Sequence, residues 1–308
     1  MAEAAESILG QSFAGFELLI VDDGSSDGTA GVLERLAGED RRVRVVRQQA
    51  LGLVAALNRG VAEARGALIA RMDADDVAAP GRLERQVTVM AGAPGVALLG
   101  SGWRVFGPDG STRRVVLPPS GDAGLRAAMA MGNALAHPTV MMRREAVVQA
   151  GAYRPAFLHA EDYDLWLRLM DRHGLASVPE VLLDYREHAG QLAWRGLEQR
   201  ILSEMGALAA HDRRQAGRPD LGRDPAPVDH ARLLRMGMTE AEIETGLIAR
   251  VLGAAQDARA AGQWRAMRAA ASLGLRQGGL AARTRLHLRL LWARGLAGRA
   301  GLSGIASG

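Results

Sequence analysis

The sequence contains no cysteine. Disulfides and thiolate chemistry are therefore excluded, and any metal ion must be held by oxygen and imidazole ligands. Lysine is missing too, so all 38 fixed side-chain cations are arginine. Aromatic residues make up only 4% of the chain, and no basic run is interleaved with them. That argues against a nucleic-acid partner. No stretch approaches the roughly 18 apolar residues of a membrane span. The first ten residues carry acids where a secretory signal would carry a basic segment, so they do not read as a signal peptide. Together these absences lead to the expectation of a cytoplasmic protein.

What is present describes a packed globular chain. Its 308 residues suffice for one large α/β domain and a smaller appendage, and 48% of them are hydrophobic. The net charge is +4 and the isoelectric point about 10.4. Arginine usage alone has two readings, a coding bias or a surface that attracts phosphates and anionic lipid headgroups.

Apolar runs and turn residues alternate through the first hundred positions. Residues 16–21 read as a buried strand ending in Asp22-Asp23-Gly24-Ser25-Ser26, followed by a helix over 28–37. A second strand spans 43–47, an amphipathic helix 51–65, and a third strand 67–72 that ends in Asp73-Ala74-Asp75-Asp76. Pro80 opens another helix, and 96–99 is a fourth strand. This alternation predicts an α/β fold with an open, mostly parallel sheet flanked by helices. Beyond residue 100 a hairpin of 103–106 with 113–117, a strand at 139–143, a helix at 161–172 and an extended segment at 178–185 are expected. After about Trp194 strand signals vanish and Ala, Leu and Arg recur at helical spacing. The expected division is residues 1–190 as the α/β domain and 191–308 as a helical C-terminal region.

Ligands of open parallel sheets bind beyond the carboxyl ends of the strands. The acid clusters beginning at Asp22 and Asp73 both lie at such ends. Asp73 and Asp75, two positions apart, can share a hard cation, Mg²⁺ or Mn²⁺, able to bridge a diphosphate. Asp162 and Asp164 repeat that spacing, and a solvated turn with capping acids would look the same. Asp22 and Asp23 can cap the next helix or accept hydrogen bonds from ribose and base. Glu161 and Asp162 open a helix, where acids either cap or, in the sharper reading, one takes a proton from a hydroxyl. His188 ends the last extended segment. It is either structural or a late member of a metal shell, and His137 reads as packing. Gly100-Ser101-Gly102 lacks the third glycine of a dinucleotide fingerprint.

Taken in order, FELLIVDDGSSDGT at 16–29, LNRGVAEARGALIARMDADD at 57–76, HPTVMMRREAVVQAGAY at 137–153, AEDYDLWLRL at 160–169 and LLDYREH at 182–188 resemble glycosyltransferase family 2 with its GT-A fold. The resemblance covers roughly residues 1–190. It implies an inverting glycosyltransferase that moves a sugar from a nucleotide-sugar donor, UDP-sugar favoured, to a saccharide or lipid-linked saccharide acceptor. It implies that Asp22 and Asp23 contact the nucleotide and that Asp73 and Asp75 form the D-x-D pair, Asp75 being the direct metal ligand. Asp162 then matches the catalytic base, and His188 joins the metal shell. Members of the family begin with a strand and loop reading like V-S-V-I-I-P-x-Y-N ahead of the segment matching residues 1–11. That pattern is absent here, which implies an open sheet edge and one missing wall of the donor site. Two further readings stay open: a non-catalytic sugar-nucleotide-binding remnant, and a nucleotidyltransferase that also uses paired acids.

Residues 281–300 mix Arg283, Arg285, Arg289, Arg294 and Arg299 with leucines and Trp292. They read either as a basic amphipathic helix on an anionic bilayer, giving peripheral contact with the inner membrane face, or as a packed helix with solvated arginines.

Overall fold

The computed structural model describes residues 1–107, 110–187, 196–260, 262–276 and 282–297. The chain forms two compact units, Met1–Ala156 with Ala160–Gly190, and Phe157–His159 with Gln191–Gly308.

The first unit begins with helix α1 (Ala2–Leu9), which buries Ala4, Ala5 and Ile8. Strand β1 (Leu18–Asp22), helix α2 (Thr29–Glu39), strand β2 (Val43–Arg47) and helix α3 (Leu53–Glu63) follow. β1 and β2 pair in parallel, Leu18 opposite Val43 through Asp22 opposite Arg47. Ala5, Leu36 and Val43 close a small core on this βαβ unit. The chain continues through β3 (Leu68–Ala70), the short β4 (Val77–Ala78), α4 (Arg82–Gly92), β5 (Val96–Phe106), β6 (Thr112–Val116) and α5 (Asp122–Met131). It closes with β7 (Met141–Arg143), α6 (Arg144–Gln149), α7 (Glu161–Met170) and β8 (Gly174–Arg186).

β3 to β8 form a second sheet in the order β3-β7-β5-β8-β4, with β6 paired to β5. Its core is Leu83, Met90, Leu99, Met141, Val178 and Leu182. The α/β class with helical flanks is as the spacing predicts, but the sheet is mixed. The two longest pairings, β1 with β2 and β5 with β8, are parallel. β7, β4 and β6 join antiparallel; β6 follows β5 through a short hairpin, whereas β4 and β7 meet partners far along the chain.

Where two strands are expected around residue 100, there is one. β5 runs unbroken through Gly100-Ser101-Gly102, and these glycines are packing residues. A β-carbon at Gly100 would sit 2.4 Å from the Leu135 side chain, and one at Gly102 2.9 Å from the Glu180 carbonyl oxygen of β8. The first would displace the Leu135 side chain, and the second would press on the backbone of the central pairing.

The two sheets are separate. A cavity of about 1290 Å³ lies where β1 and β3 approach, lined by Leu18, Leu19 and Val21 on one side and Leu68, Ile69 and Ala70 on the other. The cavity reaches Arg71, Asp73 and Tyr153.

The second unit is helical: α8 (Leu197–Gln215), α9 (His230–Met236), α10 (Glu240–Ala260), α11 (Trp264–Arg276) and α12 (Ala282–Ala297). The proline-rich connection before α9 holds one 3₁₀ turn, Leu221–Arg223, and Asp229 caps α9 by accepting the Arg232 N–H at 2.7 Å. Among the described residues no helix is long and apolar enough to cross a membrane.

Candidate functional site

The first acid cluster leaves β1 in a tight turn. Gly24 sits at φ +77°, and a β-carbon there would meet the Ala50 amide nitrogen at 2.9 Å. Asp22 is buried, and its Oδ1 accepts the Ser25 N–H at 2.9 Å. Its carboxyl is lowered by the hydrogen bonds from Ser25, with help from Arg47. Asp23 reaches across to the opening of α3. Its Oδ1 accepts Gln48 Nε2 at 2.7 Å and the Leu51 N–H at 2.9 Å, and its Oδ2 accepts the Gly52 N–H at 2.8 Å. The bond from Gln48 leads the effects that depress its carboxyl. Both acids are ionised and ordered, and most of the Asp23 acceptor capacity is spent inside the protein.

The second cluster follows β3. Arg71 Nη1 donates to Asp73 Oδ2 at 2.6 Å. Burial works against the Arg71 charge, but the Asp73 carboxylate outweighs it and holds the guanidinium above its ordinary value. Arg186 of β8 clamps the loop from the other side, its Nε donating to the Asp75 carbonyl oxygen at 2.7 Å and its N–H to Asp76 Oδ1 at 2.8 Å. The Arg186 guanidinium lies 4.6 Å over the Phe106 ring and also pairs with Glu3. Asp76 is 1% exposed, and its Oδ2 has no hydrogen-bond partner. Burial pushes its carboxyl up to about 8. Arg82, wholly buried, donates to the Arg71 carbonyl oxygen at 2.7 Å, and burial pushes its guanidinium down to about 10.

The third contribution comes from α7, the most enclosed helix of the unit. Nine of its ten residues, all but Asp162, are buried. The repeated D-x-D spacing is thereby resolved. Asp164 is fully buried and bound by Arg154 Nε at 2.9 Å and Arg168 Nη2 at 2.8 Å. Arg168 in turn donates to the Ala152 carbonyl oxygen at 2.6 Å. Asp164 is an internal ion-pair centre. Asp162 turns the other way, its Oδ2 accepting Asn133 Nδ2 at 2.8 Å and its Oδ1 the Tyr163 N–H at 2.7 Å. Burial raises its carboxyl, while these two bonds and the Arg71 charge pull it down.

Arg71 connects these pieces. It is ion-paired with Asp73, and its charge acts on Asp162, Tyr153 and His137. His137 Nε2 lies 2.8 Å from Tyr153 Oη, and its ring packs edge-on against Trp166 with centroids 5.6 Å apart. Burial, followed by Arg71, holds His137 well below its ordinary value. It is a neutral packing residue, in line with its apolar surroundings in the sequence.

Asp73 and Asp162 thus share one electrostatic neighbourhood through Arg71. Asp22 and Asp23 stand at the end of β1, engaged by their own loop and the start of α3. His188 lies outside the described residues. Asp73 and Asp75 offer the hard oxygen donors that Mg²⁺ or Mn²⁺ requires, while burial holds Asp76 toward its neutral form. The donor chemistry fits such a cation. Among the described residues, no group of three acids or histidines is arranged to hold a metal by itself. Arg71 and Asn133 were not singled out by sequence reasoning. Arg71 carried a signal, being two positions before Asp73 at a strand end. Asn133 carried none, since it arrives from the loop after α5.

The sequence model of glycosyl transferase family 2 matches residues 1–151. The chain is 35% identical over 175 residues to the putative glycosyltransferase EpsE of Bacillus subtilis strain 168, an alignment covering 56% of this chain and 62% of that protein. It is 35% identical over 188 residues to the amylovoran biosynthesis glycosyltransferase AmsE of Erwinia amylovora, covering 60% of this chain and 70% of that one. With the O-antigen biosynthesis glycosyltransferase WbnJ of Escherichia coli it shares 32% over 187 residues, 59% and 72% of the two chains. The alignment therefore spans a little under two thirds of EpsE and slightly more of AmsE and WbnJ. Two solved structures share the fold. One is the mannosyltransferase PcManGT from Pyrobaculum calidifontis in complex with GDP-Man and Mn²⁺, at a TM-score of 0.52 and 19% identity, covering 97% of this chain and 81% of that one. The other is Staphylococcus aureus TarS 1–349, at a TM-score of 0.55 and 15% identity, covering 96% and 84%. The order of the acid clusters, the GT-A-like sheet and these relatives lead to one assignment: the chain belongs to glycosyl transferase family 2.

Proposed function

We propose that the protein is an inverting glycosyltransferase that moves a sugar from a nucleotide-sugar donor to a hydroxyl of a saccharide or lipid-linked saccharide, in surface polysaccharide or glycolipid assembly. The observation that carries this reading is Asp162, the single accessible acid of an otherwise buried helix, held by Asn133 and sharing the charge of Arg71 with Asp73. Its carboxyl is raised by burial yet hydrogen-bonded as a carboxylate, which suits a group that must receive a proton.

In this mechanism Asp162 accepts the acceptor hydroxyl's proton as that oxygen attacks the sugar's anomeric carbon. The attack comes from the face opposite the diphosphate, so one displacement inverts the configuration. Asp22 and Asp23 orient the nucleotide, Asp22 from a fixed turn and Asp23 through its remaining acceptor capacity. A divalent cation, Mg²⁺ or Mn²⁺, would neutralise charge on the departing nucleoside diphosphate. Asp73 and Asp75 would hold it, Asp75 directly, with His188 joining from beyond β8. The mannosyltransferase of the same fold carries Mn²⁺ with GDP-Man, which supports divalent metal use here. The named roles of AmsE and WbnJ in amylovoran and O-antigen biosynthesis support a surface polysaccharide as the product.

A panel of nucleotide sugars, UDP-sugars first, with Mn²⁺ or Mg²⁺ tests the proposal by donor hydrolysis and thermal protection. The expected outcome is metal-dependent protection by one nucleotide sugar, with a product of inverted anomeric configuration. Protection by nucleoside triphosphates instead would favour a nucleotidyltransferase. The cavity between β1 and β3, which reaches Arg71 and Asp73, favours one second reading. In that reading the chain binds sugar nucleotide without turnover, and protection would appear with no hydrolysis or transfer.

A further inference from the structure

The helical unit carries a charge pattern that the transfer chemistry does not use. Residues 258–308 hold nine arginines and no aspartate or glutamate. The whole chain has 38 arginines and 34 acids, so residues 1–257, with 29 and 34, are net acidic. Positive charge is segregated onto the last two helices, α11 and α12, and the residues around them.

The fold gathers it on one surface. On α12, Arg285, Arg289 and Trp292 stand at i, i+4 and i+7 and so share one face, while Leu288 and Leu291 are buried on another. On α11, Ala266, Met267, Ala270 and Ala271 are buried, Trp264 is exposed, and Arg268, four positions on, is half-buried. The Arg268 guanidinium lies 5.3 Å from the Trp292 ring centroid, which joins the two helices. Trp264 is 38% and Trp292 36% exposed. Among the described residues, Arg265, Arg268, Arg285 and Arg289 make no ion pair with an acid.

We propose that this face of α11 and α12 binds the surface of an anionic lipid bilayer. Arginines supply attraction to phosphate headgroups, and exposed tryptophans at their level favour the bilayer interface. A second copy of the chain offers no matching acidic face on these helices. A nucleic acid would be expected to meet a row of stacking aromatics, whereas this face has two tryptophans set among five-donor guanidinium groups spread over two helices.

The test uses the full chain, without nucleotide sugar, so that its result is independent of transfer activity. Co-sedimentation is measured with phosphatidylcholine vesicles, with vesicles containing 30% phosphatidylglycerol as the probe, and with single-stranded RNA as a competitor. Binding to the anionic vesicles alone is expected, weakening steeply with salt. R285E/R289E should lose about tenfold or more in vesicle partition while keeping its circular dichroism and thermal midpoint. Brominated lipids should quench tryptophan fluorescence less in W264F/W292F than in wild type. Equal binding by wild type and R285E/R289E would overturn the proposal. So would no binding at low salt, or displacement from vesicles by RNA at lower concentration than by phosphatidylglycerol.

Discussion

Asn133 Nδ2 donates to Asp162 Oδ2 at 2.8 Å, and the amide is fixed from behind because Asn133 Oδ1 accepts the Leu135 N–H at 3.3 Å. The bond lowers the Asp162 carboxyl against the burial that raises it. Replacing Asn133 with Ala removes a bond to a charged acceptor, worth about 1.5–3 kcal/mol. The acidic limb of the pH–rate profile should then move to higher pH by about one unit, while donor binding stays unchanged. The profile of kcat/KM in wild type and Asn133→Ala checks this, and coincident limbs would remove Asn133 from the account.

Asp164 and Asp162, two residues apart, should respond in opposite ways to the same substitution. Asp164→Asn leaves Arg154 and Arg168 buried without their charge partner. Breaking such a buried pair costs about 3–5 kcal/mol, enough to lower the thermal midpoint by many degrees. Asp162→Asn exchanges an acceptor that is not locked in an ion pair, so the fold should persist. Thermal melts of the two variants separate a structural acid from a site acid.

Gly102→Ala should destabilise by about 1–3 kcal/mol or prevent folding, since the new methyl meets the Glu180 carbonyl oxygen at 2.9 Å in the central parallel pairing. Gly95→Ala, with open space around its position, should cost little by comparison. Denaturant titration of both variants measures the difference.

His137 gives a pH dependence whose sign follows from its surroundings of Tyr153, Trp166 and Arg71. Its folded value is depressed, so below about 6.5 the unfolded chain takes up a proton that the folded chain refuses. Stability should therefore fall as pH drops through that region toward the folded value. The thermal midpoint should decline between pH 7 and pH 5 in wild type and decline less in His137→Gln. Equal declines would mean that His137 titrates normally.

Much of this was legible in the sequence because it was local. The acid clusters at 22–23 and 73–76 announced themselves by following apolar strands, and the helix carrying Asp162 by its apolar spacing. What the sequence could not reveal depended on contacts between distant segments. Asp162 and Asp164 have the same spacing as Asp73 and Asp75, and only Arg154 and Arg168 distinguish their roles. Gly100 and Gly102 look like a loop, because the pressure of Leu135 and Glu180 on β5 comes from far along the chain. The hairpin of β5 with β6 was legible because it is local, but the antiparallel joins of β4 and β7 were hidden by short strands whose partners lie elsewhere. Asn133 had no local pattern at all.

Asp75→Ala should abolish metal-dependent thermal protection by the donor, each protein being compared with its own metal-free midpoint. Protection that persists in Asp75→Ala would move the cation away from the D-x-D loop.

The proposed mechanism has Asp162 take the acceptor's proton. Its most direct test is transfer from one protective nucleotide sugar, at saturating donor and cation, by wild type and Asp162→Asn. Asp162→Asn should bind donor as tightly as wild type and transfer about 10²–10⁴-fold more slowly. Equal transfer rates in the two proteins would contradict it.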